Sequence, residues 1–274
     1  MVGITDFECF YGRQIERSAP RPLEAPRGNG ALFPGAKTTI VAEMNGRTMR
    51  VVQCWDDGVE DDIRLCEILR THGAKATFNL NPGLHQRVRG HTWVYQNVKE
   101  VKRLARGELR DVYDGFLIAN HTVSHPRPLK ISPGEWRREV FDGRKQLQDL
   151  FDQPVEGFVY PYGQRNEATD EVVREAGHIY ARGTGGSCSD APAGHPPADP
   201  LRFVPDAHFK DPHIREKFAA ARARHAPVFY FWGHSYELMD ATDWQSLEDF
   251  IRHISASPDC EWAWLPDLFR PRAA

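Results

Sequence analysis

The chain has 274 residues, with 35 basic against 38 acidic side chains and a formal net charge of −3. That balance gives no basic surplus for nucleic acid and no charge block for a disordered tail, and no apolar run approaches the length that spans a bilayer. Its five cysteines, Cys9, Cys54, Cys66, Cys188 and Cys260, are scattered and odd in number, so they suggest neither a disulfide framework nor a paired-cysteine metal site. The first residues carry acids where a signal peptide needs an apolar core, so a cytoplasmic protein with reduced thiols is expected.

Residues 1–47 are rich in Pro, Gly and Arg and read as an extended arm, with one catalytic domain expected over 48–274. From Thr48 the pattern becomes regular. "TMRVVQCW" reads as a buried strand and "EDDIRLCEILRTHG" as a helix stopped by Gly73. "KATFNLNPG" is a strand, "NVKEVKRLARG" a helix and "GFLIANH" a strand. "SPGEWRREVFDGRKQLQDLF" should be the longest helix, opened by Ser132 with Glu135 three residues on. Strand "VEGFVYPYG", helix "NEATDEVVREAGH" and the short strand "IYARG" repeat the alternation, and "GTGGSCSDAPAGHPPADP" is a loop. Helix "DPHIREKFAAARARHA", strand "PVFYFWGH", helix "DWQSLEDFIRHISA" and a last strand in "CEWAWLPDLF" complete the chain. Strands alternating with helices of this length mean parallel strands joined by crossovers, here an α/β fold of one barrel-like domain.

Functional groups in such folds sit where strands end and loops begin. The first strand ends in Asp56-Asp57-Gly58, the third in "NHTVSH" with His121 and His125, a later one in Tyr160-Pro161-Tyr162-Gly163, and "VFYFWGH" in His234. Two adjacent carboxylates at the end of a buried strand repel each other and lose hydration, and a cation relieves both costs. One Asp and two His suit a catalytic divalent metal that keeps a position open for water. Neighbouring strand residues point to opposite faces, so Asp56 and Asp57 can share one site only where the strand has ended or twisted. His121 and His125 are four apart, as on one face of a helical turn, with Pro126 blocking continuation.

These motifs resemble those of the polysaccharide deacetylases of carbohydrate esterase family 4, the NodB-homology domain, whose fold is a distorted (β/α)7-type barrel. Cys54-Trp55-Asp56-Asp57-Gly58 stands for the family's Thr-Phe-Asp-Asp-Gly, and His121-Thr122-Val123-Ser124-His125 matches its His-(Ser/Thr)-x-x-His in full. Val159-Tyr160-Pro161-Tyr162-Gly163 stands for Arg-x-Pro-Tyr-Gly, and Tyr230-Phe231-Trp232-Gly233-His234 for Leu-x-Leu-x-His. The resemblance implies a metal held by Asp57, His121 and His125, usually Zn2+, with Co2+ or Ni2+ also serving. Asp56 would be the general base, the Tyr162 backbone N–H an oxyanion donor and His234 the general acid. Trp232, with Tyr160 and Pro161, would line the sugar site. The implied reaction is removal of an N-acetyl group from an N-acetylated sugar or glycan.

Two positions depart from the family pattern. Val159 replaces the arginine that pairs with the base, which makes Arg182 in "YARG" the candidate substitute. The Asp-Trp motif that orients the acid is not recognisable, which leaves Asp206 or His208 in "VPDAHF" as candidate partners of His234. Each residue alone has a plainer reading: a solvated turn for Asp56-Asp57, a satisfied core histidine for His234, a simple turn for Tyr162. The alternatives to a sugar deacetylase are a hydrolase of non-sugar amides on the same fold and an inactive sugar-binding protein.

Overall fold

The structure is a computed structural model that describes residues 48–184 and 192–270; the arm expected over residues 1–47 lies outside them, as does most of the Gly/Ser-rich part of the expected loop. Among the described residues ten strands and six α-helices follow in chain order: β1 (Met49–Asp56), α1 (Asp62–Thr71), β2 (Thr77–Leu80), β3 (Gly90–Tyr95), β4 (Lys99–Arg103), α2 (Leu109–Val112), β5 (Leu117–Asn120) and α3 (Pro133–Phe151). Then come β6 (Gly157–Val159), α4 (Glu167–Glu175), β7 (Tyr180–Arg182), β8 (Ala207–His208), α5 (Ile214–Ala223), β9 (Val228–Gly233), α6 (Ala241–Ser255) and β10 (Cys260–Trp262). The main sheet runs β7-β6-β5-β2-β1-β9-β8, all pairs parallel, and β10 joins β1 beside β2. Phe203 bonds to β7 on both sides of its peptide, and β8, a few residues on, pairs with β9. The chain between Phe203 and His208 therefore draws the two edges of the curled sheet toward each other, the α/β barrel-like arrangement expected from the alternation.

A period of two sorts every strand into an outer and an inner row. Val51 and Trp55, Phe78 and Leu80, and Phe229 and Phe231 face outward into the large core beneath α1, α5 and α6. Val52 and Cys54, Tyr180, and Val228 and Tyr230 face inward with Phe203 and Leu265. Continued upward, the inner rows end in Asp56, Asn79, His121, Arg182 and His234. The apolar floor of the barrel thus turns polar at the rim where the parallel strands end. The thiols of Cys54, Cys66 and Cys260 are free.

α3 is the longest helix, and its start is as expected: Ser132 accepts from the Glu135 amide while Glu135 returns to the Ser132 amide. Its Gly143 has a purpose within the site, because a Cβ there would lie 2.5 Å from Asn120 Oδ1 and 3.2 Å from the Thr122 carbonyl carbon.

One expected element is wrong. "NVKEVKRLARG" is not a helix; it is β4, antiparallel to β3 in a two-stranded ribbon. Gln96 (φ 47°) and Asn97 (φ 58°) both take left-handed conformations, which gives the tight turn that matches strand twist. Val101 and Arg103 are buried on alternate positions, while Glu100 is exposed. A Val-x-x-Val-x-x-Leu spacing fits a helix equally well, so the turn decides the outcome.

Candidate active site

Asp56 closes β1 with its side chain on the inner row, and both Asp56 and Asp57 are buried. The strand ends there: Asp57 adopts φ 86°, which swings its carboxylate to the same side as its neighbour's. His234 Nε2 consequently lies 3.8 Å from Asp56 Oδ2 and 3.9 Å from Asp57 Oδ2.

Each carboxylate has its own guanidinium. Arg182, fully buried, places Nη2 2.6 Å from Asp56 Oδ1 and 2.5 Å from Oδ2, and Asn79 Nδ2 donates to Oδ1 at 2.6 Å. Val159 and Arg182 are register partners on adjacent parallel strands. The guanidinium missing from position 159 therefore enters the same inner row from one strand over. The Trp232 ring covers it at 4.2 Å. Asp57 is met from the other side by Arg103 of the ribbon, whose Nη2 is 3.3 Å from Oδ1 and whose Nη1 donates to the Asp57 carbonyl. Burial pushes both acids up, but Arg182 for Asp56 and Arg103 for Asp57, with the nearby imidazoles, outweigh it and hold both below the usual carboxylate range.

His121 and His125 do not lie on a helical turn. Thr122 (φ 69°) and His125 (φ 58°) are left-handed, and the loop is fixed by Thr122 N to Asn120 Oδ1, His125 N to Thr122 Oγ1 and Ser124 N to Glu139. The His121 ring meets the Val159 carbonyl through Nδ1 at 2.8 Å, which assigns the proton to Nδ1 and leaves Nε2 with its lone pair. Burial lowers both imidazoles, with His121 adding to the effect on His125, which falls to about 3. Ligand atoms of Asp57, His121 and His125 all lie within 4.8 Å of one another. Two neutral imidazoles and one ionised carboxylate are the donor set a zinc-type cation takes, so the residues fit the metal.

His234 belongs to a second group. Its Nδ1 is 3.4 Å from Glu237 Oε2, and the same oxygen is 3.0 Å from His208 Nε2. Burial works against a charge on His234, but Glu237, followed by Asp56 and Asp57, pushes it up to about 9. Glu237 is the partner that the motifs did not single out, although it stands three residues after His234, where a short helical turn brings it back. Asp206 is not that partner: its two oxygens accept from the Gly194 and Tyr230 amides. His208 meets His234 through Glu237, whose Oε2 both imidazoles approach, and across the Trp232 ring.

Tyr162 sits in a left-handed turn (φ 57°) with its ring 4.8 Å from His125 and 41% exposed. Tyr160 and Pro161 cannot line a sugar site as expected, because both are buried and the Tyr160 hydroxyl donates to Asp170 at 2.8 Å. Trp232 is half-buried, edge-on to His208 and His234 at 4.7 and 5.3 Å between ring centres.

Among solved structures, the Xyl-CE4 domain of a multidomain xylanase from the hindgut metagenome of Trinervitermes trinervoides matches 81% of this chain and 90% of its own, with 15% identity and a TM-score of 0.51. A family 4 carbohydrate esterase from Streptomyces lividans in complex with acetate matches 76% of this chain and 88% of its own, with 16% identity and a TM-score of 0.50. At these identities the likeness is one of fold, and it shares the mostly parallel curled sheet. YxkH of Bacillus subtilis (strain 168), whose name places it among polysaccharide deacetylases, is 25% identical over 130 residues, which span 47% of this chain but only 42% of YxkH. A family model described as polysaccharide deacetylase matches residues 44–181, half of the chain, and with the motifs at the ends of these strands this chain belongs to the polysaccharide deacetylase family.

Proposed function

We propose that the protein is a metal-dependent N-deacetylase acting on an N-acetylated sugar or glycan. The observation that carries this proposal is the meeting of His234 with both Asp56 and Asp57 within 4 Å, beside the Asp57–His121–His125 cluster. Asp57, His121 and His125 would hold the cation, with Zn2+ the best match to two nitrogens and a carboxylate, and Co2+ or Ni2+ able to take the same donors. A divalent ion bound there supplies a Lewis acid for the amide carbonyl and makes a water nucleophilic near neutral pH.

The chain's own groups then divide the proton work. Asp56, ionised beside Arg182, accepts the proton of the attacking water. The Tyr162 backbone N–H, presented by its left-handed turn, donates to the oxygen that gains charge as the amide carbon becomes tetrahedral. An amide nitrogen leaves poorly until protonated, and His234, kept charged by Glu237, gives it the proton. Trp232 would offer an apolar edge to the sugar ring from beside His234.

The test is acetate release from N-acetylated mono- and oligosaccharides by chelated and metal-reloaded protein, wild type beside Asp56→Asn. Release that needs the metal and falls in the variant by about 10²–10⁴-fold is the expected result. A protein that binds zinc stoichiometrically yet releases acetate from no sugar would redirect the assignment to non-sugar amides.

A further inference from the structure

The rim beside His125 carries a cation that the proton chemistry does not use. Arg127 is exposed, and its guanidinium lies 4.1 Å above the ring centre of Tyr162, which in turn stands 4.8 Å from the His125 ring. The three groups thus form a short row leading from the candidate metal cluster outward to solvent, the two rings edge-to-face and the guanidinium over the face of Tyr162.

The mount of Arg127 is stiff. Pro126 and Pro128 flank it, and Pro128 is buried as the first residue of a short helical turn in which Lys130 N donates to the Arg127 carbonyl at 3.0 Å. Two prolines fix the backbone on either side, so the side chain leaves from a preorganised base rather than a floppy loop. Stacking leaves the in-plane N–H donors of a guanidinium free to point outward.

Nearby carboxylates are already engaged. Asp56 is taken by Arg182, Asp57 by Arg103, Glu139 by Ser124, and Asp170 by Arg165 and Tyr160. Among the described residues none pairs with Arg127. A cation stacked on an exposed ring gains little from that contact alone. Its forked donors suit the two oxygens of a carboxylate or phosphate.

We propose that the saccharide taken by this site is anionic, and that Arg127, stacked on Tyr162, binds a carboxylate or phosphate group of it lying outward of the Asp57–His121–His125 cluster. This inference rests on the deacetylase assignment for its substrate and names that substrate's charge class.

The test compares kcat/KM for matched N-acetylated saccharides: neutral, carboxylate-bearing and phosphate-bearing. For the wild type, one or both anionic forms should be favoured over the neutral one by roughly tenfold at low salt, with the preference shrinking as salt rises. Arg127→Gln should bring that ratio to about one, and Arg127→Lys should retain part of it, with metal content equal in all three proteins. Which anionic form is favoured tells carboxylate from phosphate. A wild-type ratio near one, or a ratio unmoved in Arg127→Gln, overturns the proposal.

Binding of the same saccharides to zinc-loaded Asp56→Asn protein, with and without Arg127→Gln, separates the two ideas. Anion-selective binding lost with Arg127 but without acetate release by the wild type supports the anion site and sinks the deacetylase assignment. Binding that ignores charge overturns the anion site whatever the chemistry.

Discussion

Three carboxylates lie buried within seven residues of one another, and two of them live differently from the third. Asp56 and Asp57, at the rim, each meet a buried guanidinium, and both are held ionised. Asp62, in the first turn of α1, meets hydrogen-bond donors but, among the described residues, no paired cation: Tyr113 Oη at 2.6 Å, Ser235 Oγ at 2.5 Å and the Val59 backbone. Burial pushes it up to about 7 even though both hydroxyls pull the other way. Desolvation is common to all three, so the cation decides the charge state. The rim spends two arginines to keep two charges at one place, whereas the helix base tolerates a proton instead. Asp62 also ties α1 to Ser235, the residue after His234, so the neutral acid supports the loop that carries the charged imidazole.

Removing the cation from Asp56 should have the largest effect. Arg182→Val leaves a buried charge unpaired and should cost about 3–5 kcal/mol in urea denaturation, with acetate release falling below one part in a hundred. Because residues 159 and 182 are register partners, their strands lie only about 4.8 Å apart, and Val159→Arg added to Arg182→Val should recover much of the lost stability. A double variant no more stable than the single one would mean that Asp56 accepts its cation only from β7.

Arg103→Met tests the other carboxylate. It should cost about 2–3 kcal/mol in the metal-free protein. Zinc should return more of that loss than it returns to Arg182→Val, because the ion would sit on Asp57; thermal melts with and without zinc measure both. Equal rescue of the two variants would erase the distinction drawn between the acids.

For Asp62 the prediction is one of slope. Its folded pKa of about 7 lies above the ordinary 3.8, so the folded protein keeps a proton that the unfolded chain has released. That contribution is whole below pH 3.8 and is lost as the pH rises to about 7, by at most about 1.4 kcal/mol per pH unit. Asp62→Asn should flatten this part of the stability profile, and an unchanged slope would show that Asp62 is ionised like its neighbours. The smallest effect should come from Tyr113→Phe, which removes one donor to the same acid and should cost about 1 kcal/mol by denaturant titration.

The parallel sheet was legible because its code is local. β1, β5, β6 and β9 are apolar runs that stop at Asp56, Asn120, Val159 and Gly233, and the polar groups after them mark the rim. Arg182 could be named as the cation for Asp56 because Val159 left a defined gap. The ribbon was not legible: Val98, Val101 and Leu104 satisfy a helical period, and only the Gln96-Asn97 turn separates the two outcomes. With the ribbon went Arg103, whose partner Asp57 is 46 residues away. Asn79 did carry a signal, a polar side chain on the inner row of "TFNL". Glu237 was hidden by the search for the acid's partner upstream, in "VPDAHF", when the chain supplies it three residues on. Tyr160 and Pro161 misled because a motif gives order along the chain and says nothing of depth; both are buried.

Asp57, Thr122, His125 and Tyr162 all hold left-handed backbone conformations that side-chain-bearing residues rarely adopt. Such conformations cost on the order of 1–3 kcal/mol each and persist only where the surroundings enforce them. Glycine at 122 would relieve part of that strain, but it would also remove the Oγ1 that receives the His125 amide. The rim is therefore a sprung part of the molecule, loaded by the sheet and α3 beneath it. A variant library screened for heat resistance alone would tend to relax these four positions first, and the survivors would be sturdier proteins with a blunter site.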